Sequence, residues 1–320
     1  MSAANDTPSP PEPEPNSASM DKFMRGLDAF QKSVSARNAE QVEAAALDIL
    51  AAAAEHAEQN PTPQLTLRLA AGECEARGDW AGAEACYRKV LALEEATGNC
   101  SLISNTHLDL SNLFRLIGDL EQADACVRAA TVAARQSGVF PLLVMVLVNQ
   151  VSFALARSDV ATALEAASEA VAAVEAGPGY DGLRASALVA RARCRMAAGD
   201  WSGGESDLAA SQPILLDPHM SPVFAGAHSR AAGWWEVTAG ARAHRGNLAG
   251  ACQAWAEAVQ IRRHVASLGH VAGPYTLAAL ARALRGSGEA LEAAGNSEDA
   301  RAALAEARRI RCELGLQEQG

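Results

Sequence analysis

The chain has 320 residues, a formal net charge of −11, 49% hydrophobic residues and only 4% aromatics. That length accommodates one elongated repeat array or two compact domains. The acidic balance excludes sequence-independent nucleic-acid binding, because phosphates repel such a surface.

The charge is uneven. From Arg242 to the end, ten Arg set against eight Asp and Glu give +2, so residues 1–241 carry −13. Lys is nearly absent, three against 24 Arg, which fits a GC-rich bacterial genome. Much of the hydrophobic content is Ala, which suits closely packed helices at the lowest entropic cost. The seven Cys are scattered and odd in number, with no Cys-x-x-Cys pair. This favours reduced, buried thiols in a cytoplasmic protein over a disulfide framework.

Residues 1–19 hold five Pro among Ser, Asn, Asp and Glu. They read as a disordered tail of polyproline character, without the basic and apolar regions of a secretory signal. A helical hairpin is expected from residue 20 to 58, turning near Arg37-Asn38. Further hairpins follow near 62–98, 101–138, 140–176, 180–216, 222–268 and 272–315, so that 20–316 forms one solenoid. The most apolar run, "PLLVMVLV" from Pro141, ends at Asn149 and Gln150, well short of a membrane span.

The hairpins are aligned by their turns. Gly78-Asp79, Gly118-Asp119, Ser158-Asp159, Gly199-Asp200, Gly246-Asn247 and Gly295-Asn296 recur at spacings of 40, 40, 41, 47 and 49 residues. Gly closes one helix in the left-handed conformation and Asp or Asn caps the next. Five residues after each turn Gly or Ser stand Ala83, Ala123, Ala163, Gly204, Ala251 and Ala300, all tiny. Seven before stand Ala71, Ser111, Val151, Ala192, Ala239 and Gly288, and eleven before stand Leu67, His107, Leu147, Leu188, Trp235 and Leu284. Tiny residues admit close approach within a hairpin, and bulky ones fill the space between hairpins.

This small–bulky–Gly-Asp–aromatic–Ala pattern, clearest in "LAAGECEARGDWAGAEACYRKVLAL", resembles the tetratricopeptide repeat (TPR) family. The period is that of its long, roughly 40-residue variety, known in kinesin light chains and bacterial peptide-sensing regulators, rather than the family norm of about 34. The resemblance implies an all-α, right-handed superhelical solenoid of about seven antiparallel helix hairpins. It implies a concave groove, lined by the first helix of each hairpin, that binds a peptide or protein segment.

By the same resemblance the groove-facing residues include Asn105, Leu108, Asp109, Asn112, Arg115, Met145, Val148, Asn149, Ser152 and Arg193. Asn112 and Asn149 are the leading pair, since an amide offers both a donor and an acceptor to an extended backbone. The alternative is that they are polar fillers on a solvated face. The family's carboxylate clamp is half present: Leu108, Ser186 and Ala190 stand where its basic residues belong. Arg68, Arg282 and Arg285 either grip an acidic ligand or pair with Glu75, Glu289 and Glu292. Trp234 sits one position off the core register, so it is either an exposed interface residue or buried against "QPILLDPHMSP".

Catalytic, metal and cofactor signals are lacking. No His-x-x-x-His pair occurs. "GSGEAL" from Gly286 follows a helix, not a strand, and "SGGESDL" from Ser202 lacks the nucleophile-elbow spacing. The sequence therefore predicts a non-catalytic interaction adaptor, with a peptide- or metabolite-responsive regulator as alternative and an enzyme as a third. It predicts a protein or peptide partner, no nucleic acid, no membrane, no cofactor, and a monomer or weak dimer.

Overall fold

The computed structural model describes Arg25, Ala29 and residues 61–176, 180–216, 225–267 and 273–316. The N-terminal tail and the hairpin expected at 20–58 lie outside the described residues, apart from Arg25 and Ala29, both helical. Met1–Thr62 with Ser221–Val223 form one unit, and Pro63–Met220 with Phe224–Gly320 form the other. Twelve helices are described in the second unit, and no strand is among its described residues. They are α1 (Pro63–Ala76), α2 (Trp80–Thr97), α3 (Cys100–Ile117), α4 (Leu120–Ser137), α5 (Phe140–Ala156) and α6 (Val160–Ala176). There follow α7 (Asp181–Ala197), α8 (Trp201–Leu215), α9 (Ala225–His244), α10 (Leu248–Ser267), α11 (Pro274–Ala293) and α12 (Ser297–Glu313). Consecutive odd and even helices pair as six hairpins, stacked in chain order.

The turn chemistry explains the boundaries. Gly78 and Gly199 have φ of 72° and 87°, and Gly118, Gly246 and Gly295 are also left-handed. Ser158 occupies the equivalent place at φ 60°, the one described non-Gly residue with positive φ. The next residue caps the following helix: Asp79, Asp119 and Asp200 accept from the backbone N–H of Gly82, Gln122 and Gly203. Asp159 accepts from Thr162 and Asn247 from Gly250.

Packing follows the repeat register. Ala83, Ala123, Ala163 and Ala251 are fully buried, and Ala300 nearly so. Gly204 shows why this site stays small: a Cβ there would lie 2.7 Å from Met196 Cγ and 3.0 Å from the Ala192 carbonyl. Larger side chains such as Leu110, Leu113, Phe114, Leu147 and Phe153 fill the layers between hairpins.

Polar contacts between hairpins repeat the same arithmetic. Arg68–Asp109 and Arg193–Ser152 join residues 41 apart, one repeat each, and Arg245–Glu205 and Arg263–Glu306 link neighbouring hairpins across 40 and 43 residues. Asp207 is the most enclosed member of another set: it accepts from Arg191 at 2.7 and 2.9 Å and from Arg195 at 3.0 Å.

Two expectations are corrected. Trp234, considered for an exposed interface, is only 5% exposed. Its Nε1 donates to the Leu208 carbonyl at 3.0 Å, and its ring meets that of Trp235 edge-on at 4.8 Å. It is the more deeply buried of the two, and Trp235 lies partly open under the Arg242 guanidinium. The thiols differ as well. All seven are free, but only Cys194 is fully buried, where burial pushes its pKa up to about 11, and Cys312 is exposed.

Candidate functional site

The first helices of the hairpins, the odd-numbered ones, share an inner face. One contact defines how far it curves. The Tyr275 hydroxyl on α11 donates to Glu75 Oε1 on α1 at 2.5 Å, across 200 residues of sequence. Glu75 also accepts from Tyr87 at 3.1 Å. The last hairpin therefore touches the first described one, and the inner face of this unit is bridged at that point. Both phenols are held neutral, their pKa values raised by burial first and by Glu75 second for Tyr87, and by burial and the Glu75 hydrogen bond for Tyr275.

At this end Arg68 carries most of the charge balance. It pairs with Glu94 at 3.1 Å and with Asp109, and also donates to Thr106. Glu94 is only 1% exposed and accepts from Thr106 at 2.6 Å. Burial alone would lower the Arg68 pKa, but Asp109 and Glu94 outweigh it and the net direction is up. Asp109 moves up too, because desolvation exceeds the pull of Arg68. Of the pairings considered, Arg68 takes Glu94 and Asp109 rather than Glu75, and Arg285 meets Glu289 at 3.8 Å.

The middle of the face holds the residues singled out for peptide holding. Arg115 Nη2 donates to Asn112 Oδ1 at 3.2 Å, and its guanidinium lies over the Phe153 ring at 5.8 Å. Arg193 Nη1 reaches Ser152 Oγ at 3.4 Å. Asn149 donates to its own helix, to the Met145 carbonyl at 3.0 Å. Each Asn thus has half of its amide engaged, the oxygen of Asn112 and the NH2 of Asn149. Asn105 is half-buried on the same helix as Asn112, two turns earlier. Leu108, also expected on the groove, is 6% exposed and belongs to the core, whereas Met145 is 43% exposed.

Arg282 was a minor candidate in the sequence and is a major feature of the structure. It follows Tyr275 by seven residues on α11, so the two share a face. Its side chain is exposed to water. Desolvation first, and then the nearby charges of Arg115, Arg262 and Arg193, push its pKa down to about 10, with Glu236 opposing. Glu236 is already held by Arg262 at 2.8 Å. Arg115 is lowered likewise, by desolvation and by Arg193, with Tyr275 opposing.

Elsewhere, an open cleft of about 570 Å³ lies between α10, α11 and α12, bridged by Arg263 and Glu306. Among the described residues no group of three or more His, Cys, Asp or Glu is placed to hold a metal. No described helix is long and apolar enough to cross a membrane.

Comparison with models of known protein families gives no match, and neither does comparison with curated proteins. Solved structures do match. The chain is similar to Rap protein complexed with competence and sporulation factor, at 12% identity and a TM-score of 0.55, over 92% of this chain and 99% of that one. It is similar to a Podosopora anserina structure of kinesin-light-chain type with nearly identical TPR-like repeats, at 15% identity, TM-score 0.39, over 68% and 98%. It also matches the TPR2AB domain of yeast Sti1 in complex with pHSP90, at 12% identity, TM-score 0.24, over 90% and 99%. The Rap superposition, over nearly the full length of both chains, carries the assignment: this chain has the fold of the TPR-like helical solenoids.

Proposed function

We propose that this protein is a non-catalytic interaction scaffold that holds a peptide or protein segment on the inner face of its solenoid. The observation that carries the reading is the set Asn112, Arg115, Asn149, Ser152 and Arg193. These polar side chains come from α3, α5 and α7, and the two Asn each retain unused hydrogen-bonding capacity. Spaced amides and guanidinia suit an extended backbone, which presents a donor and an acceptor at every residue. Rap, a solved structure similar in fold over nearly the whole chain, was captured with competence and sporulation factor, and that binding is carried here to this chain as an expectation. Asn105 extends the same row toward the start of α3. The chain works in the cytoplasm without a cofactor, on our reading, and as a monomer or weak dimer.

The test is affinity capture from the source organism's lysate, wild type beside Asn112→Ala/Asn149→Ala, read by mass spectrometry. A protein retained by wild type and lost from the double variant supports the inner face. Identical captures by the two preparations remove the Asn pair from the site.

A second reading, a peptide- or metabolite-responsive regulator, draws on the Tyr275–Glu75 bond. A ligand on the inner face has a specific contact between the first described hairpin and the last to compete with, and binding is thereby coupled to the spacing of those two hairpins.

A further inference from the structure

We propose that Arg115, Arg193 and Arg282 form a carboxylate-binding site on the inner face, and that the segment held there is an acidic peptide. This rests on the inner-face reading above and adds the charge of the ligand.

The case begins with charge pairing. The carboxylates around the inner face are already engaged. Glu94 and Asp109 are held by Arg68, Glu236 by Arg262, and Glu75 by two phenols. Arg115, Arg193 and Arg282 are cations left over on three of the inner-face helices. Among the described residues none of the three has a carboxylate within ion-pair distance. Their recorded contacts are with neutral groups: Asn112 Oδ1 and the Phe153 ring for Arg115, and Ser152 Oγ for Arg193. Each contact leaves several N–H donors of the guanidinium unused.

The fold brings these residues together. Arg115 is on α3, Arg193 on α7 and Arg282 on α11, three different hairpins. The Tyr275–Glu75 bond draws the Tyr275 face of α11, and with it Arg282, toward α1 and α3. Arg115 at Phe153 and Arg193 at Ser152 meet adjacent residues of α5, so like charges gather on this face with no carboxylate between them; their repulsion adds to desolvation, the larger cause, in lowering Arg115 and Arg282. Like charges gathered on one face without a counterion raise the energy of the empty site, and an anion relieves it. Flat guanidinia bind carboxylates in two-point fashion. Cations supplied by three hairpins match successive acidic side chains along an extended peptide better than one small ion, which touches only a subset.

The experiment uses the full chain and fluorescein-labelled octaglutamate, with both peptide ends blocked, in an anisotropy titration at low salt. Octalysine and inorganic phosphate are the comparison probes. Octaglutamate is expected to bind, and Arg115→Gln/Arg282→Gln to weaken it by roughly tenfold or more. Arg301→Gln/Arg308→Gln, the same charge change on the exposed face of α12, is expected to leave it unaltered. A second measurement needs no variant. Phenylglyoxal modification of wild type, read by peptide mass spectrometry, should show Arg115, Arg193 and Arg282 protected by octaglutamate. Equal modification with and without bound octaglutamate overturns the site. Equal binding of octalysine overturns the charge assignment. Displacement of octaglutamate by phosphate at equal molarity overturns the peptide in favour of a small anion. If lysate capture depends on Asn112 and Asn149 while octaglutamate fails to bind, the acidic ligand falls and the inner-face reading stands.

Discussion

Arg282→Gln should make this protein more stable. In the folded chain the Arg282 pKa drops from the ordinary arginine value to about 10, first through desolvation and then through Arg115, Arg262 and Arg193. A base whose folded pKa lies below its unfolded one disfavours folding wherever it is charged. The penalty is in force at neutral pH and is relieved as pH rises through about 10 toward the unfolded value. Taken at face value the fall corresponds to roughly 3 kcal/mol. The guanidinium is open to water, however, and screening reduces this to about 1 kcal/mol. In a domain of this size that is a rise in Tm of about 2–4 °C. The assay is thermal unfolding followed by circular dichroism at neutral pH, at low and high salt. Arg282→Gln should melt above wild type, Arg282→Lys should stay near it, and the gap should narrow with salt. A variant that melts at or below wild type at low salt would refute the claim that Arg282 is an uncompensated charge.

Three further outcomes follow from other sites. His107 stands where other repeats carry Leu or Trp, and its buried Nδ1 has no partner in the described structure. Desolvation lowers its pKa against the opposing Glu95 and Glu94, so it resists protonation when folded and costs stability as pH falls below its unfolded value. His107→Leu should gain about 1 kcal/mol near neutrality and flatten the acid limb of a urea-midpoint profile. Asp207→Ala removes the 5%-exposed carboxylate shared by Arg191 and Arg195 and should cost about 3 kcal/mol by urea unfolding. Tyr275→Phe deletes the bond to Glu75 and should speed amide hydrogen exchange in α1 and α11, leaving α5 and α6 unchanged.

The sequence carried the repeat frame because that frame is local. A left-handed residue, a cap and a tiny residue five positions on are all fixed within one hairpin. Even Ser158 fits, since its neighbour Asp159 still caps the next helix. The sequence left Trp234 open between an exposed and a buried place, and its bond to the Leu208 carbonyl and its edge-on contact with Trp235, across elements rather than along the repeat, decide for burial. The Arg68–Asp109 pair was within reach: the two residues are 41 apart, one repeat. The Arg115–Arg193–Arg282 group was not. It depends on which carboxylates are taken elsewhere and on a contact between α1 and α11, neither of which has a spacing in the sequence.

The measurement that bears most directly on the account is site-specific photo-cross-linking in the source organism. A benzophenone side chain is placed at Asn105 or Ser152 on the inner face, and at Glu121 or Glu165, exposed on the second helices α4 and α6. The account predicts adducts with one protein segment from the inner-face positions alone, and an acidic sequence in that segment. Adducts from Glu121 and Glu165 with none from Asn105 and Ser152 would place the working surface on the outside of the solenoid and contradict it.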